Sequence, residues 1–278
     1  MASKVDILIA TYQRPAALAV TLTGLCAQSF DPFRVVISDQ SEDGDPLSAG
    51  EVLAPSRLLR SRGHDVRTHR RPHRRGIAEH RSFLLSRAEA PYVLFLDDDV
   101  ILEPDLLERL VGAIERERCG FVASAVIGLS HMEDERPHEQ AIEFWEGPVG
   151  PERIAPGSPE WERYRLHNAA NLYHVQRDLG LSRENERLYK LAWAGGCVLY
   201  DTKKLRAVGG FDFWRDLPPD HAGEDVLAQW RVMASFGGCG LIPSGAYHQE
   251  LPTTIDSRRV DAPRVLPVEE DPRMWKAA

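Results

Sequence analysis

The sequence has little that would mark an exported, membrane-embedded or nucleic-acid-binding chain. Only four cysteines occur in 278 residues, and Cys26, Cys119, Cys197 and Cys239 stand too far apart for a zinc-site spacing. They read as reduced thiols, which places the protein in the cytoplasm. No apolar run approaches the roughly 18 residues of a transmembrane segment. The opening stretch turns polar at Thr11 to Arg14, too early for a secretory signal. Basic charge is in deficit: 34 lysines and arginines face 42 acids, net −8, so no nucleic-acid partner is expected. No internal repeat is visible. What is there is ordinary: 43% hydrophobic and 27% charged residues exclude collagen-like, disordered and disulfide-scaffold classes. A chain this long can bury a full core as one large α/β domain or roughly two smaller units.

Strand and helix patterns alternate through about the first 130 residues. Val5 to Ala10, Val35 to Ser38, Asp65 to His69, Tyr92 to Leu96 and Gly120 to Ile127 read as strands. Between them, Leu18, Leu22 and Leu25 recur at helical spacing after Pro15, and Gly76 to Ala88 and Pro104 to Glu117 are helical. Leu47 to Leu59 is a weaker helix, expected to break at Pro55. The pattern predicts a mostly parallel Rossmann-like sheet with helices on both faces, and ligands beyond the carboxyl ends of its strands. Residues 131–190 carry five prolines and scattered aromatics and read as an insertion or lid. Regular structure returns at Leu191 to Tyr200, Thr202 to Val208, Glu224 to Ser235 and Leu241 to Ala246. The tail after Leu251 reads as an irregular arm. One domain over 1–278 results: a nucleotide-binding half to about 130, the insertion, an acceptor and catalytic half over 191–250, and the arm 251–278.

Six features carry chemistry. Asp97-Asp98-Asp99 follows the Tyr-Val-Leu-Phe-Leu strand. Adjacent carboxylates repel one another unless a cation or basic group sits among them, and hard divalent cations take such oxygens. Helix capping does not explain three of them, because the next helix starts near Pro104. Asp39, after the second strand, lies at the same sheet edge and can accept hydrogen bonds from a base or ribose. Eight arginines fall between Arg57 and Arg75; one or two near Arg71 to Arg75, just before Gly76-Ile77-Ala78, could pair with phosphate at a helix N-terminus. Trp193-Ala194-Gly195-Gly196-Cys197 brings paired glycines that allow close backbone approach, or merely a tight turn. Glu224 and Asp225 open a helix, where acids suit the dipole; a general base is the sharper reading. His248 follows the last strand.

In this order the features resemble an inverting glycosyltransferase of family 2 with the GT-A fold. Ile7 to Pro15 resembles its first strand and nucleotide loop, with Thr11, Tyr12 and Arg14. Gln28-Ser29-Phe30 and Arg34 to Asp39 resemble its second strand. Gly76-Ile77-Ala78 with Arg81 resembles the helix before the metal motif, and Leu96 to Asp99 the DxD motif. Gly209 to Asp212 and Gly223-Glu224-Asp225 resemble acceptor-side motifs. The likeness covers residues 4 to about 130 and 191 to about 248. It departs at Gln40, where a second acid is usual, and at Ser82, where asparagine is usual. The resemblance implies a nucleotide-diphosphate sugar donor, a small-molecule, glycan or other hydroxyl acceptor, and Mn2+ or Mg2+. Thr11, Tyr12, Arg14, Asp39, Arg75, Gly76, Arg81, Asp97 and Asp98 would bind the donor. Asp99 would ligate the metal, assisted by His248. Trp193, Gly195, Gly196 and Glu224 would face the acceptor, and Asp225 would be the base. Two rivals differ in class. A nucleotidyltransferase usually carries a glycine-rich loop after the first strand, and Ala10 to Pro15 has no glycine. A catalytically silent sugar-nucleotide module would not need intact Asp97, Asp99 and Asp225.

Overall fold

The structure, a computed structural model, describes residues 3–254 and 258–268. The elements run β1 (Val5–Thr11), α1 (Pro15–Cys26), β2 (Phe33–Asp39), α2 (Gly50–Ser61), β3 (Asp65–Arg70), α3 (Ile77–Ser86), β4 (Tyr92–Leu96), β5 (Val100–Leu102), α4 (Leu106–Glu117) and β6 (Phe121–Ala123). The second half adds α5 (Asn171–Asp178), β7 (Arg187–Tyr189), β8 (Cys197–Asp201), α6 (Thr202–Ala207), β9 (His221–Ala222), α7 (Glu224–Phe236), β10 (Gly238–Ile242), β11 (Ala246–His248), β12 (Val260–Asp261) and α8 (Ala262–Val265).

The main sheet has eight strands in the order β3-β2-β1-β4-β8-β6-β10-β7. β3, β2, β1 and β4 are parallel, β8 runs antiparallel between β4 and β6, and β7 closes the far edge antiparallel to β10. Side chains alternate across each strand, so the sheet feeds two cores. Ile7, Ile9, Leu94 and Leu96 face one, with α1 and α4; Leu8, Val93 and Phe95 face the other, with α3 and α7. Asp6, on central strand β1, is fully buried. Arg34 reaches it from β2 at 2.9 and 2.5 Å, and the Glu89 and Ala90 amides donate to it, so the buried charge is paired and hydrogen-bonded.

Several expectations change. α2 runs through Pro55, and the Gly120–Ile127 strand shrinks to β6. The last strand divides at Pro243 into β10 and β11. Residues 131–190, read as an insertion or lid, contribute to the core and the main sheet. Ile154, Leu166, Leu172 and Val175 sit in the α3/α7 core, and β7 extends the main sheet. The arm is partly regular: β12 pairs parallel with β9 and α8 packs on α7. The cysteines are free and buried. Among the described residues, no helix is long and apolar enough to cross a membrane.

Candidate active site

Segments from along most of the chain converge at the carboxyl edge of the sheet around a cleft of about 910 Å³. β4 delivers Asp97, Asp98 and Asp99. Asp98 is held from three sides: the Thr11 hydroxyl donates to it at 2.6 Å, Arg14 approaches at 3.5 Å, and the Thr21 hydroxyl donates to its carbonyl at 2.9 Å. Burial, together with the Asp99 and Asp97 charges, pushes the Asp98 carboxyl up to about 7 against the pull of Thr11 and Arg14. Thr11 and Asp98 therefore satisfy each other and shape the loop.

Asp99 bonds to Arg14 at 2.8 Å, and His248 Nε2 lies 3.5 Å from the same Oδ2. That neighbour comes from the far end of the chain. β11 pairs antiparallel with β5, setting His248 opposite Val100, and the Gln249 amide donates to the Asp99 carbonyl at 2.8 Å. Burial raises the Asp99 carboxyl as well. Among the described residues, no three acids, histidines or cysteines stand as a preformed metal cluster. Asp99 and His248 fit the smaller share of a hard divalent ion's shell that a protein supplies when phosphates and water provide the rest, and Arg14 already meets that oxygen's need for positive charge.

Asp97 faces the other way. Arg81, from α3, donates to Asp97 at 3.1 Å and to Glu224 at 2.9 Å. It bridges the end of β4 and the start of α7; its contact with Glu224 is buried, while the Asp97 side chain is 42% exposed at the cleft. Glu224 is 4% exposed and lines the cleft, with its Oε1 engaged by that bridge. Asp225, next to it, is half-buried and lines the cleft. Among the described residues, its Oδ1 accepts only its neighbour's amide, Val226 N–H, at 2.9 Å. Burial first, then the Glu224 and Asp97 charges, push it up to about 7, with Arg81 opposing. A carboxyl poised there can take a proton near neutral pH.

The donor-side residues divide. Tyr12 lines the cleft, with the Arg74 guanidinium 4.2 Å above its ring. Asp39 is fully buried and does not line the cleft; Oδ1 accepts from the Ser41 amide at 3.0 Å, while Oδ2 has no partner among the described residues. Arg75 is exposed and does not line the cleft. The helix start it was expected to share with phosphate is occupied by His221, whose Nε2 accepts the Ala78 amide at 3.1 Å. Gly76 lines the cleft at φ +93°, and a Cβ there would lie 2.6 Å from His221. Gly196 also sits at positive φ, its Cβ direction blocked by Val126 at 2.5 Å, while its carbonyl accepts the Asp97 amide at 2.9 Å. It shapes the Asp97 turn and offers no acceptor surface. Gly195 passes beside the base: a Cβ on it would sit 3.8 Å from Asp225 Oδ2.

The cleft also contains Arg74, of the arginine group but not the one chosen from it, and residues the sequence did not single out: His80, Trp161, and Arg258, Asp261 and Arg264 from the arm. Arg74 lay within the arginine run one place from the residue chosen. A tryptophan in a polar, proline-rich segment was the signal for Trp161. The arm residues carried none, because only pairing of β12 with β9 brings them in.

A family model described as "Glycosyl transferase family 2" matches residues 6–176. The match extends into the segment that had seemed unrelated and stops before the acceptor-side motifs. No curated protein sequence matches significantly. Among solved structures, S. aureus TarS 1-349 in complex with UDP-GlcNAc superposes at TM-score 0.56 and 15% identity, over 91% of this chain and 60% of that one. Mannosyltransferase PcManGT from Pyrobaculum calidifontis, in complex with GDP-Man and Mn2+, gives 0.55 and 15% over 92% and 59%. A longer S. aureus TarS structure gives 0.54 and 17%, with this chain spanning 36% of it. These likenesses establish the GT-A fold.

Proposed function

Because the chain belongs to glycosyl transferase family 2, we propose that it transfers a sugar from a nucleotide-diphosphate donor to an acceptor hydroxyl with inversion at the anomeric carbon. The observation that carries this reading is the position of Asp225. It lines the same cleft as Asp97–Asp99, on the other side of the Arg81 bridge.

In this reading the nucleotide lies over Tyr12 and Arg74 with its base toward the end of β2, where Asp39 is buried behind the cleft wall and braces the Ser41 turn. Asp99 and His248 hold a divalent cation. When bound, the ion neutralises charge building on the departing nucleoside diphosphate. Arg14, displaced from Asp99, remains within the cleft as a second positive group. Asp225 accepts the acceptor hydroxyl's proton while that oxygen bonds to the anomeric carbon. The bond from that carbon to the diphosphate oxygen breaks on the opposite face, and the electron pair leaves with the nucleotide. Arg81 keeps Asp97 and α7 in register, fixing the base relative to the donor. The bound complexes of TarS with UDP-GlcNAc and of PcManGT with GDP-Man and Mn2+ support donors of this class.

The test is a thermal-shift screen of UDP-, GDP- and dTDP-sugars with and without Mn2+, followed by an assay of nucleoside diphosphate release. One nucleotide series should raise the melting temperature in a metal-dependent way and be turned over. Binding without turnover, with every acceptor class supplied, would favour the silent module.

A further inference from the structure

The resemblance puts Trp193 on the acceptor side without saying what it binds. Trp161 and Trp193 both line the cleft, as Asp225 does. Trp161 comes from the 3-10 run Pro159–His167 within the segment 131–190; Trp193 comes from the loop before β8. Their ring centroids are 4.9 Å apart, and Tyr164 stacks on Trp193 at 5.3 Å and 14°. Behind them, Trp161 packs edge-on against Trp230 of α7 at 5.3 Å, and Trp230 donates its indole N–H to the Ala192 carbonyl at 2.9 Å.

This cluster is rigid where it meets the cleft. The Ser158 hydroxyl accepts the Trp161 amide at 3.3 Å, and Arg163 pairs with Glu143 at 2.7 Å and Glu152 at 2.9 Å. Its anchor, Trp230, belongs to the helix whose first turn carries the proposed base. Two residues after Trp193, Gly195 passes directly beside Asp225. Trp161, Tyr164 and Trp193 are nevertheless only half-buried. Large aromatic faces held half-open in a cleft otherwise rich in acids and arginines call for a ligand with two characters. An alkyl chain needs continuous apolar lining, which the neighbouring carboxylates interrupt. A small alcohol has no face to cover the rings. A pyranose offers C–H groups on one face, polarised toward the electron-rich ring, and hydroxyls around its rim.

We propose that Trp161, with Trp193, forms the acceptor platform, and that the acceptor is a saccharide whose pyranose ring stacks there with one hydroxyl toward Asp225. This rests on the transferase reading for the role of Asp225, but not for the binding event itself.

The test is a titration of the full chain, with Mn2+ and UDP or GDP present, by methyl β-D-glucopyranoside and cellobiose. Glycerol and 1-octanol serve as non-pyranose hydroxyls. Binding is read by saturation-transfer NMR and by shifts of the indole N–H signals. The pyranosides should bind saturably and move the Trp161 indole signal, assigned with Trp161→Phe, while glycerol and octanol do not. Trp161→Ala should weaken pyranoside binding by about tenfold or more, and Trp161→Phe by much less. Nucleotide affinity should stay within about twofold in both. The proposal is overturned if no pyranoside binds the wild type, or if binding leaves the Trp161 signal unmoved. It is also overturned if a folded Trp161→Ala binds as tightly as wild type. Should Trp161→Ala not fold, the indole shifts in wild type and the Phe variant decide alone. Pyranoside binding at Trp161 in a chain that binds no nucleotide sugar would sink the transferase reading and leave the platform standing.

Discussion

Replacing Asp225 by asparagine should make the protein more stable and almost inactive, and the two effects have one cause. The carboxyl is pushed from its ordinary 3.8 up to about 7 by burial and by the Glu224 and Asp97 charges. In the unfolded chain it loses its proton near 4, so between about 4 and 7 the folded state holds the extra proton. Stability therefore falls as pH rises through that window and is flat above it. Taken whole, the rise corresponds to about 4 kcal/mol at 1.36 kcal/mol per pH unit. Asp225 opens onto the cleft and shares its proton balance with Glu224 across Arg81, so a gain on the order of 1–2 kcal/mol is expected for Asp225→Asn at pH 8. That is about 2–8 °C in melting temperature, shrinking toward zero near pH 4. Asparagine keeps the shape and can still accept the Val226 amide, so donor binding should persist. It cannot take a proton, so transfer should fall by about 10²–10⁴-fold. The wild-type kcat/KM should rise with pH up to about 7 and the variant's residual rate should lack that limb. The assays are scanning calorimetry at pH 4.5 and 8, and product formation across the same range. Near-normal turnover by Asp225→Asn with a real acceptor would refute the assignment and move the search to His248. An unchanged melting temperature at pH 8 would refute the electrostatic account.

Glu224→Gln removes the neighbouring charge that raises Asp225, so the acid limb of its rate profile should move to lower pH while turnover falls less than in Asp225→Asn; an unmoved limb would contradict the coupling. Asp99→Ala, or chelator on the wild type, should weaken nucleoside diphosphate binding measured by calorimetry, and equal affinity in all three conditions would remove the metal role. Arg81→Ala leaves the buried Glu224 carboxylate without its partner, and breaking such a pair costs about 3–5 kcal/mol; denaturation showing under about 1 kcal/mol would mean that the bridge is not structural. Gly196→Ala puts a Cβ 2.5 Å from Val126 at φ +78°, and should cost about 1–3 kcal/mol and lower activity through the Asp97 turn.

Much of the fold could be read from the chain because its signals are local. β1 and β4 are apolar at almost every position because strands flanked on both sides bury both faces, and α1 shows its core side through Leu18, Leu22 and Leu25. Asp97–Asp99 announced themselves because three adjacent carboxylates need positive charge whatever surrounds them. Motif order likewise sufficed for the family. What sequence could not supply was which partner each group keeps. Glu224 looks like a free acid until Arg81, 143 residues away, is seen to hold it. Arg75 and Arg74 are equivalent in a run of arginines, and only the packing of Tyr12 selects Arg74. The segment 131–190 read as an insertion because its 3-10 turns and single short strand have no strong period, yet its apolar residues complete a core. Its Trp161 reaches the cleft only by leaning on Trp230, 69 positions later in the chain. Residue type and local period fixed the elements and the chemistry available. Contacts between distant segments decided which of those groups face the cleft and which are spent holding one another, because the energy of a buried charge depends on its neighbours in space.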